Sequence, residues 1–174
     1  NYIDGIYEDL AWLGLTWETP VRRQSAHLGD YRAALDRLQA MGVIYPCICT
    51  RREIAAEVAA SASAPHGAEG PLYPGICKTR PQAEMQAALT AGTPYALRLD
   101  MEAAVAMLRE DGRWPLSFHD ELRGERVAVD PALHGDVVLG RKDVGTSYHL
   151  AVTLDDALQG ITHVIRGEDL LAST

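Results

Sequence analysis

The chain has 174 residues, of which 47% are hydrophobic and 23% charged, a composition that is typical of a folded globular domain and excludes global disorder. Its formal net charge of −8 argues against indiscriminate nucleic-acid binding, because that mode of binding depends on Lys and Arg neutralising phosphates. No apolar run reaches the ~18 residues of a membrane span, and three cysteines in this context predict a reducing cytoplasm rather than a disulfide framework.

The first part of the chain predicts two helices and a strand. Apolar residues recur at helical spacing in "YIDGIYEDLAWL", and Gly14 can cap the end of that helix. "LGDYRAALDRLQA" repeats the pattern before Gly42, and "VIYPCI" predicts a strand that ends at Pro46. Paired arginines are candidates for a local basic face, although such pairs more often form solvated surface: Arg22, Arg23, Arg51 and Arg52.

Two capping boxes predict helix starts in the middle of the chain. Thr50 with Glu53 predicts a helix that begins just after the second cysteine, and Thr79 with Gln82 predicts another helix, "PQAEMQAALTAG". Residues 61–75 between them are rich in Pro and Gly and predict a flexible loop.

The second half of the chain predicts mainly strands. "PYALRLD" alternates like a strand, and "FHDELRGERVAVD" predicts a hairpin with Gly124 near its turn. The stretch from "DVVLG" to "GEDL" predicts strand, turn, strand, short helix, strand and helix start, with "SYHLAV" and "THVIR" as strands and Asp155 as the cap of the helix "DALQ". This order of elements predicts an α/β layer of the nucleotide-binding type that carries an insertion.

The three cysteines form a candidate metal site. Cys47 and Cys49 can converge on one ion if the chain turns between them, and Cys77 can reach the same ion from beyond the loop. Spacing leaves a second interpretation open, in which the three are buried core thiols. If an ion binds, His66 and Tyr73 are the candidates for the fourth ligand, and general ligand chemistry favours His66.

Two long stretches resemble the class I glutamyl-tRNA synthetases. They are "DVGTSYHLAVTLDDALQGITHVIRGEDLLAST" and "YIDGIYEDLAWLGLTWETPVRRQSAHLGDYRAALDRLQAMGVIYPC", which together flank nearly the whole chain. The resemblance implies an α/β fold, the Rossmann-like catalytic domain of these enzymes with a zinc-bearing α+β insertion. It divides the chain into catalytic domain (1–45), insertion with an acceptor-binding-like part (46–134) and catalytic domain again (135–174). The chain is expected to be an internal fragment.

Two subfamilies fit this resemblance. Zinc-containing full-length enzymes end their site with C-x-H, but the position of that histidine is Thr79 here. The shorter glutamyl-queuosine tRNA(Asp) synthetases combine C-x-C with Y-x-x-x-C, a pattern that Cys47, Cys49, Tyr73 and Cys77 match. The resemblance therefore implies the shorter subfamily, with Tyr73 as the fourth ligand of a structural zinc ion.

The resemblance also implies a two-step reaction. Glutamate and ATP, with Mg²⁺, form glutamyl-adenylate, and the glutamyl group then passes to queuosine in the anticodon of tRNA(Asp). Tyr148 and Arg166 match positions that bind the glutamate substrate, Arg166 being suited to a carboxylate. Simple strand packing of Tyr148, or an ion pair of Arg166 with Glu168 or Asp169, is the structural alternative.

Chemistry in this family depends on positioning and charge stabilisation, so no protein nucleophile and no catalytic side chain is assigned. The ATP-binding signatures of the family are expected before residue 1 and after residue 174. Asp155 and Asp156 fit a helix cap and its solvated neighbour better than an Mg²⁺ site, and His149 and His163 are expected to be structural residues in strands. A monomer without membrane contact is expected.

Two other interpretations differ in kind. A zinc-stabilised RNA- or protein-binding module without catalysis would have a basic face with aromatic residues, which the acidic balance and the 11 aromatics (7 Tyr, 3 Trp, 1 Phe) disfavour. The second of these interpretations is a synthetase remnant that has lost its catalytic activity. A catalytic-domain fragment of a full-length glutamyl-tRNA synthetase is the alternative within the family.

Overall fold

The computed structural model describes the backbone of residues 2–60, 66–67 and 70–173. The α-helices of this part of the chain are α1 (Tyr2–Trp12), α2 (Leu28–Ala40), α3 (Arg51–Ala60), α4 (Gln82–Thr90), α5 (Met101–Glu110) and α6 (Tyr148–Gln159). Short 3₁₀ helices span Gln24–Ala26, Pro131–Leu133 and Glu168–Ser173. The strands are β1 (Ile44–Cys47), β2 (His66–Gly67), β3 (Gly70–Pro71), β4 (Ala96–Leu99), β5 (Ser117–Asp120), β6 (Glu125–Ala128) and β7 (Val138–Gly140).

A three-stranded sheet joins distant parts of the chain. Its strand order is β1-β4-β7, and β4 pairs antiparallel with both neighbours. Cys47 at the end of β1 lies opposite Ala96 at the start of β4, so the register places the first cysteine at one end of the sheet. The remaining pairs, β2–β3 and β5–β6, are also antiparallel, so every strand pair in the described residues has that orientation.

The core lies between this sheet and two helices. Tyr31 and Leu35 of α2 and Leu150 and Ala151 of α6 pack together with apolar residues of β1 and β7. Gly140 in β7 permits this close packing, because a Cβ atom there would lie only 3.1 Å from the Cβ of Leu97. A second buried cluster contains the three cysteines and Met85.

Several predicted elements are confirmed. Gly14 and Gly42 follow α1 and α2 and adopt positive φ angles of 75° and 73°, which glycine tolerates best. The first capping box forms in both directions, since the Glu53 N–H donates to Thr50 Oγ1 (3.2 Å) and the Thr50 N–H donates to a Glu53 carboxylate oxygen (2.6 Å). "PYALRLD" contains β4, and "FHDELRGERVAVD" forms the β5–β6 hairpin.

The second capping box does not form. Helix α4 begins at Gln82 after Pro81, without a side-chain cap, and the Thr79 hydroxyl donates instead to the carbonyl oxygen of Ile76 (3.3 Å). The Thr79 side chain, which the pattern assigned to the start of α4, therefore bonds within the turn around Cys77. Helix α5 was not predicted, although Asp100 is a recognisable cap whose carboxylate accepts from the Ala103 N–H (3.0 Å).

The predicted strands "SYHLAV" and "THVIR" are both wrong. Ser147 caps α6, its hydroxyl oxygen accepting from the Leu150 N–H (3.3 Å), and the first stretch becomes the start of that helix. Residues 161–167 adopt neither helix nor strand, and Ile165 is 98% exposed. A β-branched run becomes a strand only where a neighbour supplies the hydrogen-bonded ladder, and no described strand pairs with this segment.

Among the described residues, no helix is both long and apolar enough to cross a membrane. Of the predicted loop at 61–75, residues 61–65 and 68–69 fall outside the described residues, and the described part contains the paired strands β2 and β3. The predicted division at residues 46 and 134 stays a prediction; strands from all three predicted parts pair in the β1-β4-β7 sheet.

Candidate functional site

The three cysteines converge. Cys47 ends β1, Cys49 lies two residues before α3, and Cys77 lies in the turn that precedes α4. All three are buried, and their sulfur atoms lie within 4.8 Å of one another. The sulfurs of Cys49 and Cys77 are 3.2 Å apart, well beyond the ~2.05 Å of a disulfide bond, so the cysteines are free thiols.

The hydroxyl of Tyr73 lies against this thiol cluster. Its oxygen is 3.4 Å from the sulfur of Cys47 and 3.6 Å from that of Cys49. It also accepts a hydrogen bond of 2.8 Å from the backbone N–H of Cys77. The structure thus brings together the four side chains that the sequence pattern selected as ligands. The side chain of His66, the alternative fourth ligand, is outside the described part of the chain.

Burial and hydrogen bonding shift the pKa values of Cys49, Tyr73 and Cys77 in different directions. Burial raises the pKa of the Cys49 thiol, and burial together with the hydrogen bond from Cys47 raises the pKa of the Tyr73 phenol. Burial also acts to raise the pKa of Cys77, but hydrogen bonds from Cys49, Tyr73 and nearby backbone N–H groups outweigh it and lower that pKa. Without a cation, Cys77 therefore has a lower pKa than Cys49.

Three cationic side chains surround the cluster, and sequence patterning had singled out none of them. The guanidinium carbon of Arg98 lies 3.7 Å from the centre of the Tyr73 ring. The Lys142 ammonium donates to the carbonyl oxygens of Ile48 (2.9 Å) and Cys49 (3.0 Å). A hydrogen bond to Cys77 raises the pKa of Arg80.

The donor set suits zinc. Three thiol sulfurs and one phenolic oxygen supply four protein ligands, the number that a tetrahedral structural zinc site requires, and thiolate sulfur is a preferred zinc ligand. Buried core thiols alone would not require a tyrosine hydroxyl to point at all three cysteines. The residues present therefore fit a zinc ion.

The two predicted substrate residues lie in different elements, one at the start of α6 and the other in the segment that follows α6. Tyr148 is the first residue of α6 and is 61% exposed, so it does not pack within an alternating strand as the structural alternative required. Arg166 lies in the irregular segment after α6, not at the end of a strand. Glu168, one of its predicted ion-pair partners, accepts from the guanidinium of Arg123 (2.7 Å).

Asp155 is neither a helix cap nor available to Mg²⁺. It lies inside α6, and its two carboxylate oxygens accept from Arg22 Nε (2.7 Å), the Tyr31 hydroxyl (2.7 Å) and Gln24 Nε2 (3.2 Å). The Arg22 side chain is only 17% exposed, so the prediction that it belongs to a solvated arginine pair is wrong. Its second carboxylate partner is Asp30, at 2.7 Å.

The two histidines predicted to lie in strands do not. His149 is in the first turn of α6, where its ring lies edge-on to that of Tyr148 with 6.4 Å between ring centres. His163 is in the irregular segment, with Nδ1 2.8 Å from the Thr162 hydroxyl and Nε2 3.9 Å from Glu121. Both placements follow from the helix and the irregular segment that replace the predicted strands.

Comparison with protein families matches the whole chain to one domain. The family described as "tRNA synthetases class I (E and Q), catalytic domain" matches residues 1–174.

Two curated relatives of this chain carry the same name. A glutamyl-Q tRNA(Asp) synthetase of Rhodobacter capsulatus is 47% identical over 97% of this chain and 59% of its own length. The enzyme of that name from Nocardia farcinica is 42% identical over 95% of this chain and 47% of its own length. The chain thus spans about half the length of the curated relatives it matches.

Solved structures agree with the sequence comparison. A glutamate tRNA ligase from Elizabethkingia meningosepticum, crystallised in complex with its amino acid, superposes with a TM-score of 0.69 at 26% identity. The glutamate-tRNA synthetase of Elizabethkingia anophelis gives a TM-score of 0.71 at the same identity. Each match covers 97% of this chain and 34% of the other, so the predicted fold class is confirmed, while the zinc insertion within it stays a prediction.

Proposed function

Because the chain belongs to the catalytic-domain family of the class I tRNA synthetases for glutamate and glutamine, we propose that it is part of an enzyme that activates glutamate with ATP and transfers it to queuosine in the anticodon of tRNA(Asp). The partners are then L-glutamate, ATP with Mg²⁺, and tRNA(Asp) that carries queuosine. The free thiols fit a reducing cytoplasm, where we place a monomeric enzyme.

One observation carries the choice of acceptor. The hydroxyl of Tyr73 completes the thiol cluster, while Thr79 occupies the position where the full-length enzymes have their histidine ligand. Threonine has no imidazole to offer, and its hydroxyl already donates to the Ile76 carbonyl. The ligand set is therefore that of the shorter enzymes, which agrees with the name carried by the relatives from Rhodobacter and Nocardia.

The metal in this proposal has a structural role. Cys47, Cys49, Tyr73 and Cys77 would hold a zinc ion, and four protein ligands leave no open position for water or substrate. The ion would cross-link the end of β1, the start of α3 and the turn before α4. Residues 46–134, which contain these ligands, would then be an insertion between the two parts of the catalytic domain.

The substrate residues in this proposal are Tyr148 and Arg166. A guanidinium binds a carboxylate through two parallel hydrogen bonds, so Arg166 would orient glutamate for attack on ATP. Tyr148 presents an exposed phenol at the start of α6, within reach of solvent and therefore of a ligand. Their contribution is to bind and orient, since acyl transfer through an adenylate needs no protein nucleophile.

Glutamate-dependent exchange of pyrophosphate into ATP tests the proposal in the complete protein. We expect exchange without any tRNA, because the shorter subfamily activates glutamate alone whereas full-length enzymes generally need tRNA for this step. Arg166→Ala should abolish exchange, while Arg32→Ala, which alters a 76% exposed side chain on α2, should not. An exchange that appears only with tRNA(Glu) would show a full-length glutamyl-tRNA synthetase instead.

The transfer step needs its own measurement. Radiolabelled glutamate should attach to tRNA(Asp) that contains queuosine and not to tRNA(Asp) with an unmodified anticodon. No activation under any of these conditions, together with RNA binding that is insensitive to Arg166→Ala, would indicate a non-catalytic module.

A further inference from the structure

We propose that Arg98 is a positioning residue for the metal centre: its guanidinium, stacked on the ring of Tyr73, holds the phenolic oxygen toward the three thiols and supplies positive charge beside an anionic ligand set. This inference rests on the metal centre proposed above. It assigns a role to a side chain that is not itself a ligand.

Arg98 is held firmly by its surroundings. Its backbone lies in β4, the central strand of the sheet, between Tyr45 of β1 and Val138 of β7. Its terminal nitrogen Nη1 donates to the carbonyl oxygen of Asp136 (2.7 Å). A side chain held at its backbone and at one terminal nitrogen presents a fixed planar guanidinium face to the ring stacked on it.

The position of the Tyr73 ring depends on stacking against the Arg98 guanidinium. It lies in segment 72–75, outside the helices and strands, so no ladder of backbone hydrogen bonds fixes it directly. Its ring centre is 3.7 Å from the guanidinium carbon of Arg98, well inside the ~6 Å limit of a cation–π contact. Its hydroxyl receives the Cys77 N–H, so the ring is fixed on its face and at its tip.

Among the described residues, the charge of Arg98 is not paired with a carboxylate. In the part of the chain that the structure describes, Arg98 forms no ion pair with a carboxylate, and its buried Nε has no hydrogen-bond partner. The Asp136 carboxylate is occupied by the Tyr45 hydroxyl (2.6 Å) and the Met101 N–H (3.0 Å). Three thiolates already exceed the charge of one divalent cation, so a nearby guanidinium stabilises the loaded site.

Zinc affinity of the complete protein measures this role. The protein is stripped of metal, and zinc is titrated back against a chromophoric chelator. We expect Arg98→Met to bind zinc about 10- to 100-fold more weakly, the usual loss when a partner of a metal ligand is removed. Arg98→Lys should lie in between. The matched control is Arg109→Met, whose guanidinium stacks 5.5 Å from the ring centre of Trp114, and it should bind zinc normally.

A double-mutant cycle shows whether Arg98 acts through Tyr73. In a Tyr73→Phe background the Arg98→Met change should weaken zinc binding clearly less than in the unaltered protein, because the oxygen that Arg98 positions is gone and only the effect of its charge on the thiolates remains. Equal losses in both backgrounds would overturn the proposal. Circular dichroism of the metal-free proteins verifies folding, and the same cycle with Arg98→Lys replaces any variant that does not fold.

The two proposals fail differently. If the unaltered protein binds no zinc, the metal centre and the role of Arg98 fall together. If the unaltered protein and Arg98→Met bind zinc equally well, the metal centre stands and only the role of Arg98 is overturned.

Discussion

Asp155 shows how one buried residue joins separate parts of the chain. Its carboxylate lies inside α6 and accepts hydrogen bonds from Arg22, Gln24 and Tyr31, which come from the segment before α2 and from α2 itself. Tyr31 is fully buried and Asp155 is 5% exposed. A charge in this position is tolerated only because donors occupy both oxygens.

The same contacts set the acidity of Asp155. Burial acts to raise its pKa, but the hydrogen bonds from Tyr31, Arg22 and Gln24 outweigh burial and hold the pKa below its usual range. A carboxyl whose pKa is lower in the folded than in the unfolded chain stabilises the fold above the usual pKa of about 4, and this stability is lost as the pH falls toward the folded-state pKa.

We therefore expect Asp155→Asn to lower the free energy of unfolding by roughly 3 kcal/mol at pH 7, because Arg22 loses a buried partner. The unfolding free energy of the variant should also change less with pH below about 4. Urea denaturation between pH 3 and pH 7 measures both effects.

Asp36→Asn is the control for this change. Asp36 pairs with Arg32 on the surface of α2, the two side chains being 63% and 76% exposed, so its loss should cost less than about 1 kcal/mol. Equal losses in the two variants would contradict the special role of the buried pair.

At the scale of the elements, helix starts show which local signals are reliable. Thr50 and Glu53 cap each other at α3 as the pattern predicts, because both partners lie within one turn. Thr79 carries the same signal, but its hydroxyl bonds to the turn at Ile76. Ser147 caps α6 without a matching Glu or Gln at the third helical position, so the pattern did not reveal it.

Ser147→Ala should cost about 1 kcal/mol of unfolding free energy, since a buried helix start loses its capping oxygen. Thr79→Ala should change the unfolding free energy by less than about 0.5 kcal/mol, because Thr79 is an exposed residue that caps no helix. Urea denaturation at pH 7 compares the two. A larger loss for Thr79→Ala would mean that its bond to Ile76 stabilises the cysteine turn more than a cap stabilises α6.

For the whole molecule, the central feature is the proximity of the thiol cluster to the β1-β4-β7 sheet. Cys47 ends a strand of this sheet, Arg98 reaches Tyr73 from the central strand, and Lys142 follows β7. Lys142 donates to the carbonyl of Cys49, 93 residues away in sequence. The candidate metal centre and the segment that leads to Tyr148 are therefore connected through the sheet.

We expect one zinc ion per chain, lost or greatly weakened in Tyr73→Phe and retained in His66→Ala. Metal analysis of the purified proteins gives the stoichiometry. Zinc that binds only the folded chain stabilises it, so chelation should lower the melting temperature of the unaltered protein and of His66→Ala. Metal loss in His66→Ala with retention in Tyr73→Phe would reverse the choice of the fourth ligand.

Much of the candidate site could be predicted from the sequence, and its surroundings could not. The candidate ligands Cys47, Cys49, Tyr73 and Cys77 follow from short spacings that a family pattern can match. Arg98 and Lys142 carry no such signal, because a guanidinium over a ring or an ammonium on two carbonyls requires only that distant segments meet in space.

The sequence by itself determined α1 and α2 with their glycine ends, the first capping box, β4, the hairpin and the family, and it selected the candidate metal ligands. These depend on contacts within a few residues or on patterns shared with relatives. Only the tertiary structure decided that "SYHLAV" is helical, that "THVIR" is not a strand, and that Asp155 and Arg22 form a partly buried ion pair. A strand needs a partner strand and a buried charge needs a counter-charge, and in both cases the fold, not the local sequence, supplies it.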